Sequence, residues 1–281
     1  MICNGLFSKY LSAVIDTNDF ETSISKILKM IEYSKTHNTT YYTHEDSVYA
    51  GEVEGKDFAT WVYDFSDPCL RDIKQELSIE ISRAQTLDSK TDLSAFMAEE
   101  DTFTVGITDN SKIQDIFDYL QFKQNRLKNI TNKSFFAQEL QECYYFIYFD
   151  VNVPSTLSTL NNAFSSIVNE IVVHLNQLDL FCRKNTERLN EGFSNENFSS
   201  EFKKFSCIDC SPQRDRKSVE KLRKNYTNAL TGEKELLVCE LHTKFSTYNR
   251  DMTKQDRIYF HKGKKGILED KLIVIHIGNH A

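Results

Sequence analysis

The last 45 residues alternate with a period of two, and few folds tolerate that pattern. Residues 236–245 (LLVCELHTKF), Arg257–His261 (RIYFH) and Leu272–Gly278 (LIVIHIG) each read as a strand. Successive strand residues point to opposite faces, so each segment sorts into two sets. Leu237, Cys239, Leu241 and Phe245 form one apolar set, continued by Ile258 and Phe260 and by Ile273, Ile275 and Ile277. The opposite set is Glu240, His242 and Lys244, then Arg257, Tyr259 and His261, then His276 and, past the glycine, His280. Four of the seven histidines lie in this stretch. The pattern predicts a three-stranded antiparallel sheet with a greasy face and a face rich in acid–base groups.

Seven scattered cysteines do not form a secreted disulfide framework. No apolar run approaches the roughly 20 residues that span a bilayer, and the first residues (MICNG) lack the pattern of a secretory signal. These features predict a cytoplasmic protein with no membrane partner. Charge is uneven along the chain. Residues 201–281 hold 17 Lys+Arg against 11 Asp+Glu, whereas residues 1–200 hold 17 against 30. A basic end on an acidic body suits a polyanion-binding region.

Upstream the period is mostly helical. Residues 21–34 place Ile24, Ile27, Leu28 and Ile31 on one stripe. Asp67-Pro68 is a good helix start, followed by Leu70, Ile73, Leu77 and Ile81 on a helix running to about residue 87. Residues 111–130 predict another helix, with short strands at 47–53 and 102–108 and an acidic loop or short helix at 88–101. Residues 1–142 therefore predict a mostly helical region. Residues 143–149 (CYYFIYF) change the pattern to an aromatic strand suited to the middle of a sheet. A helix follows, with Leu157, Leu160, Phe164, Ile167, Ile171, Leu175 and Leu178 on its stripe. A polar loop at 187–201 and a basic helix at 217–229 precede the three strands. The fold class expected is α+β, with the second domain covering residues 143–281 and carrying an inserted loop near 182–216.

That order, with the endings RIYF and LIVIHIGNH, resembles the RelE/ParE toxin superfamily. Arg257-Ile258-Tyr259-Phe260 stands where an Arg-containing apolar run falls in that family, and His276-Ile277-Gly278-Asn279-His280 stands at its last-strand ending. The resemblance covers the last 45 residues by motif and residues 143–281 by element order. The final basic residue is His280 where the family commonly has Arg.

The resemblance implies a metal-independent endoribonuclease, with no cofactor, in which the ribose 2′-hydroxyl is the nucleophile. The protein must supply a base, an acid and positive charge. Histidine titrates near neutral pH, and Arg or Lys stabilises phosphate oxygens. Arg257 and Lys244 are the expected electrostatic groups; His242, His261, His276 and His280 are the expected acid–base groups, with Glu240 and Tyr259 as partners. Lys217, Lys221, Arg223 and Lys224 on the basic helix are expected to hold RNA or another nucleic acid. A bacterial toxin or phage-defence role follows, with residues 1–142 regulating activity or binding a protein partner.

Other readings remain open. A half-exposed antiparallel sheet shows the same alternation without any site, and the whole chain could be a non-catalytic nucleic-acid- or protein-binding module. Glu240 and Lys244, with Asp209 or Asp256, admit a Mg²⁺-nuclease reading. Cys207 and Cys210 form a lone CxxC pair, two ligands short of a zinc site.

Overall fold

A computed structural model describes residues 1–44, 47–88, 91–107, 112–190, 193–246 and 255–280. Thr108 and Ser111, at the ends of two expected elements, lie outside the described residues. The chain divides into two compact units, Met1–Lys123 and Gln124–Ala281. The division falls before, not after, the helix that precedes residue 143.

The first unit contains β1 (Cys3–Phe7), α1 (Phe20–Thr36), β2 (Thr39–His44), β3 (Glu52–Val53), β4 (Lys56–Asp57) and α2 (Phe58–Tyr63). It continues with α3 (Arg71–Arg83), β5 (Gln85–Leu87), α4 (Leu93–Ala98), β6 (Thr102–Ile107), β7 (Lys112–Ile113) and most of α5 (Ile116–Leu127). Strands β5, β2, β1 and β6 run parallel in that order, with β7 antiparallel at the β6 edge. The expected mostly helical region is thus an α/β unit built on a sheet. The strand expected at 102–108 appears as β6, whereas β1, β2 and β5 escaped the sequence because β1, between two parallel strands, loses its alternation, and because β1 and β2 are rich in Cys, Asn, Gly and Thr. Gly5 sits in the middle of β1, where a Cβ would lie 2.5 Å from the Tyr41 ring, so the ring packs straight onto backbone.

Helix α1 keeps its expected stripe, with Ile24, Ile27 and Ile31 buried and Asp19 capping Thr22 N at 3.1 Å. Helix α3 stops at Arg83, short of the expected residue 87, because residues 85–87 pair with β2. It also starts late, since Asp67 Oδ1 accepts from Cys69 N in a turn.

The second unit contains α6 (Lys133–Cys143), β8 (Ile147–Phe149), α7 (Val153–Leu157), α8 (Phe164–Asn190), α9 (Asn195–Ser206), β9 (Cys210–Pro212) and α10 (Arg216–Lys221). After these come β10 (Arg223–Thr227), β11 (Lys234–Val238), β12 (Leu241–Lys244), β13 (Arg257–His261) and β14 (Leu272–Gly278). The expected three-stranded antiparallel sheet is the β12–β13–β14 part of a five-stranded mixed sheet, ordered β8-β14-β13-β12-β9, with β8 parallel to β14.

Several local expectations change. The aromatic run at 143–149 contributes only β8, and that strand lies at the sheet edge, with Tyr145 exposed. The long helix breaks into α7 and α8 because Asn161 and Asn162, between them, turn their backbone N–H groups onto Asp256. The polar stretch expected as a loop at 187–201 is helical from Asn195, where α9 begins. Its Phe198 and Phe202 are buried against Phe181, with Phe198 also on Phe260. The basic helix ends at Lys221, and residues 223–227 form β10 against β11.

The strand expected at 236–245 divides at Cys239-Glu240. Cys239 N donates to Leu222 O at 3.0 Å, while Glu240 O accepts from Gln213 N at 2.8 Å. Residues 213–240 are therefore an excursion between β9 and β12, which pair with each other, and α10, β10 and β11 all belong to it. A β-bulge between Tyr259 and Phe260 brings Ile273 opposite His261. Ile277 keeps the expected face opposite Ile258, but Ile273 and Ile275 cross to the Tyr259 face. There they pack with Leu222, Leu237, Cys239 and Ile267. The face expected to be polar is thus half apolar, and the excursion covers it.

Candidate functional site

Register across the sheet brings the expected residues into a row. His242 stands opposite Tyr259, which stands opposite His276. The His242 and Tyr259 ring centroids are 5.0 Å apart, and those of Tyr259 and His276 are 5.5 Å apart. Paired residues share a face, so Ser211, opposite His242 on β9, extends the row to four strands. Two residues before Tyr259 on β13, Arg257 lies on the same face and donates from Nη1 to Tyr259 Oη at 2.9 Å. Lys244 is its register neighbour on β12 and Gly278 its neighbour on β14.

The row is not a solvated surface. His242 is 3% exposed, Tyr259 0% and Arg257 7%. Burial pushes the His242 imidazole down to about 4, and the Arg257 charge adds to the effect. Burial likewise lowers His276, partly opposed by its hydrogen bond to Asn279 O and by the Asp256 charge. Both rings are neutral at pH 7. Because a carbonyl oxygen only accepts, His276 Nε2 carries the hydrogen it shares with Asn279 O at 2.7 Å, and Nδ1 is the basic atom.

Arg257 is the unusual member. Its guanidinium stays ionised, its Nε is buried with no hydrogen-bond partner, and among the described residues no carboxylate pairs with it. A buried charge without a counter-ion is costly, and an unsatisfied buried donor adds to that cost. The neighbouring Asp256, itself 0% exposed, is committed elsewhere. Its Oδ1 accepts from Asn161 N at 2.8 Å and Nδ2 at 3.1 Å, and its Oδ2 from Asn162 N at 3.0 Å and Nδ2 at 2.8 Å. That clamp fixes the start of β13 and therefore the position of Arg257. Nothing in the sequence pointed to it, because the partners are 94 and 95 residues apart.

The other expected residues divide. His280 lies just beyond β14, and its charge bears on His242 and His276. Lys244 ends β12 half-buried, with its charge on His242. Glu240 does not join the row. Its Oε1 accepts from Asn195 Nδ2 at 2.8 Å, in a cleft of about 510 Å³ lined also by Lys203, Gln213 and Arg214. The chain turns at Glu240, so its side chain follows α9. His261 lies past the bulge, opposite Ile273, and its Nδ1 accepts from Gly263 N at 3.2 Å. Burial lowers it to about 4 as well.

Lys217 and Lys221 are exposed on α10, Arg223 is exposed on β10 beside Glu220 at 3.2 Å, and Lys224 is half-buried. Among the described residues no three His, Cys, Asp or Glu side chains converge as metal ligands do. Asp209 pairs with Lys203 at 2.6 Å. Cys207 and Cys210 are both free, with Cys210 pushed up to about 12 by burial. His174, on the α8 stripe, shares a hydrogen with Thr243 Oγ1 at 3.0 Å, a core histidine with a partner.

Searches of family models, curated proteins and solved structures found no match to the chain.

Proposed function

We propose that the second unit acts on RNA as a metal-independent endoribonuclease, as its resemblance to the RelE/ParE superfamily implies. The observation that carries this reading is Arg257, a buried and permanently charged guanidinium with an unpaired Nε and no carboxylate partner among the described residues. A phosphate oxygen meets both needs at once. The element order supports the same reading: a first strand β8, helices, then the antiparallel β12, β13 and β14.

In the proposed reaction the ribose 2′-hydroxyl oxygen attacks the adjacent phosphorus, and the bond from phosphorus to the 5′-oxygen breaks. The products are a 2′,3′-cyclic phosphate and a 5′-hydroxyl. A neutral imidazole, His276 or His242, takes the 2′-hydroxyl proton. Tyr259 accepts from Arg257 and keeps its own hydrogen; it or the protonated histidine then supplies the proton to the leaving oxygen. Arg257, assisted by Lys244, stabilises charge on the non-bridging oxygens. His280 supplements the acid–base pair, and Lys217, Lys221, Arg223 and Lys224 hold the flanking backbone. The first unit is assigned a regulatory or partner-binding role, within a bacterial toxin or phage-defence system.

A second reading, a non-catalytic binding module, is favoured by the burial of the row and by the exposure of Lys217, Lys221 and Arg223. Incubation with end-labelled RNA in EDTA, then in Mg²⁺, separates the two. Cleavage in EDTA that is lost in Arg257→Ala is the expected result. Salt-sensitive binding without turnover would support the binding module, and cleavage in Mg²⁺ alone would move the chemistry to Glu240 and Lys244.

A further inference from the structure

We infer that residues 213–240 are a removable cover over the row, held by a latch that Tyr226 makes with Asp150. The inference rests on the RNA reading only for what the cover hides. A phosphodiester chain cannot reach groups that are 0–7% exposed, as Tyr259, His242 and Arg257 are. Something must move, and the fold singles out what can. The excursion leaves the sheet after β9 and returns at β12, and β9 and β12 pair without it. Its own strands pair only with each other, in a two-stranded sheet. Lifting it breaks no ladder of the five-stranded sheet.

The contacts that hold it down, besides the hydrogen bond of Glu240 with Asn195, include one apolar patch and two sets of polar links. Leu222, Leu237 and Cys239 lie on Tyr259, Ile273 and Ile275. Tyr226 Oη donates to Asp150 Oδ2 at 2.8 Å. At the far end, Asn228 and Glu235 reach the loop after β13: Ala229 N donates to Gly266 O at 2.7 Å, Asn228 Nδ2 donates to Lys265 O at 3.2 Å, and Lys264 pairs with Glu235. On the outer side Leu230 and Leu236 remain 69% and 52% exposed, so the hairpin buries one face only. An element with one buried face and no shared ladder belongs to the least stable part of a domain.

Cys239 reports on the cover directly. It is buried beneath the hairpin, and burial pushes its thiol up to about 12, so it is inert while the cover is down. Cys143 and Cys182, buried on α6 and α8, report on the rest of the unit. The test is thiol labelling of the full chain, resolved by peptide mass, in wild type and in Tyr226→Phe. The substitution removes one hydrogen bond and keeps the ring. Cys239 is expected to label about fivefold faster, with Cys143 and Cys182 unchanged and RNA cleavage in EDTA rising in step. Faster Cys239 labelling without cleavage in either protein keeps the cover and removes the RNA reading. Unchanged Cys239 labelling overturns the cover, as does labelling that rises equally at all three cysteines. Glu235→Gln weakens the links to Lys264 and Asn228 from outside the core and serves as the second variant, with the same expected pattern.

Discussion

Both units bury cationic side chains, and Lys74 of the first and Arg257 of the second are treated differently. In the first unit Lys74 is 4% exposed, but its Nζ donates to Asp64 O at 3.2 Å and lies 4.3 Å from the Trp61 ring centroid. Burial lowers its pKa, and Asp64, Asp67 and Glu54 oppose that change. Lysine can also shed its proton. In the second unit Arg257 has, among the described residues, one phenol oxygen for a partner and none for its Nε. Lys74 thus has a carbonyl and an aromatic face beside it, with the charges of Asp64, Asp67 and Glu54 bearing on it. On the function proposed above, an anionic ligand fills the shortfall at Arg257.

The largest effect expected is on the clamp that holds Arg257 in place. Asp256→Ala leaves the Asn161 and Asn162 donors without an acceptor in a buried position and should cost about 3 kcal/mol or more of unfolding free energy. Urea denaturation monitored in the second unit measures it. A loss under about 1 kcal/mol would mean that the clamp does not fix β13.

Acid should destabilise the protein by a comparable amount. His242 falls from an ordinary value of 6.5 to about 4, so the unfolded chain takes a proton that the folded one refuses. Its stabilising share is complete above pH 6.5, is lost as pH falls from there to 4, and amounts to about 3 kcal/mol at most. His242→Gln should flatten that part of the stability–pH curve. An unchanged slope would show that the row is more hydrated than its geometry indicates.

The two cations should then respond oppositely to the same change. Lys74→Met removes a hydrogen bond and a cation–π contact, lowering stability by about 1 kcal/mol. Arg257→Met removes an unpaired buried charge and should be neutral or stabilising when no anion is present. Thermal unfolding of the two variants side by side decides this. Equal destabilisation would make Arg257 a structural residue like Lys74.

The smallest effect on the fold belongs to the exposed basic residues. Lys217→Ala with Lys221→Ala should change stability by less than about 0.5 kcal/mol. RNA affinity should weaken, and the salt dependence of binding should become shallower by about one unit for each phosphate no longer neutralised. Unaltered salt dependence would place the RNA backbone elsewhere.

Much of the row was legible in the sequence because period two survives wherever one sheet face differs from the other. His242, Tyr259, His276 and Arg257 fell on one face from spacing alone. Glu240 departed because a chain reversal interrupts the period, and the bulge in β14 set Ile273 opposite His261, which keeps the Tyr259 face; neither event has a residue signature here. Ile273 and Ile275 changed faces for the same reason. In the first unit the strand at Thr102–Ile107 was legible, but the rest of the sheet was hidden, since Cys3–Phe7 lies between two parallel strands and shows no polar alternation. The α+β class and the long α8 stripe were readable, whereas contacts between distant positions, such as Asp256 with Asn161 or Tyr226 with Asp150, were not.

The most direct test of the account is a calorimetric titration of inorganic phosphate into the full-length protein and into Arg257→Met, at pH 7 in EDTA. Binding to the wild type that disappears in Arg257→Met, with the variant folded and at least as stable, is the result predicted. Equal binding by both proteins, or none by either with Arg257→Met destabilised, would contradict the claim that Arg257 is held for an anion.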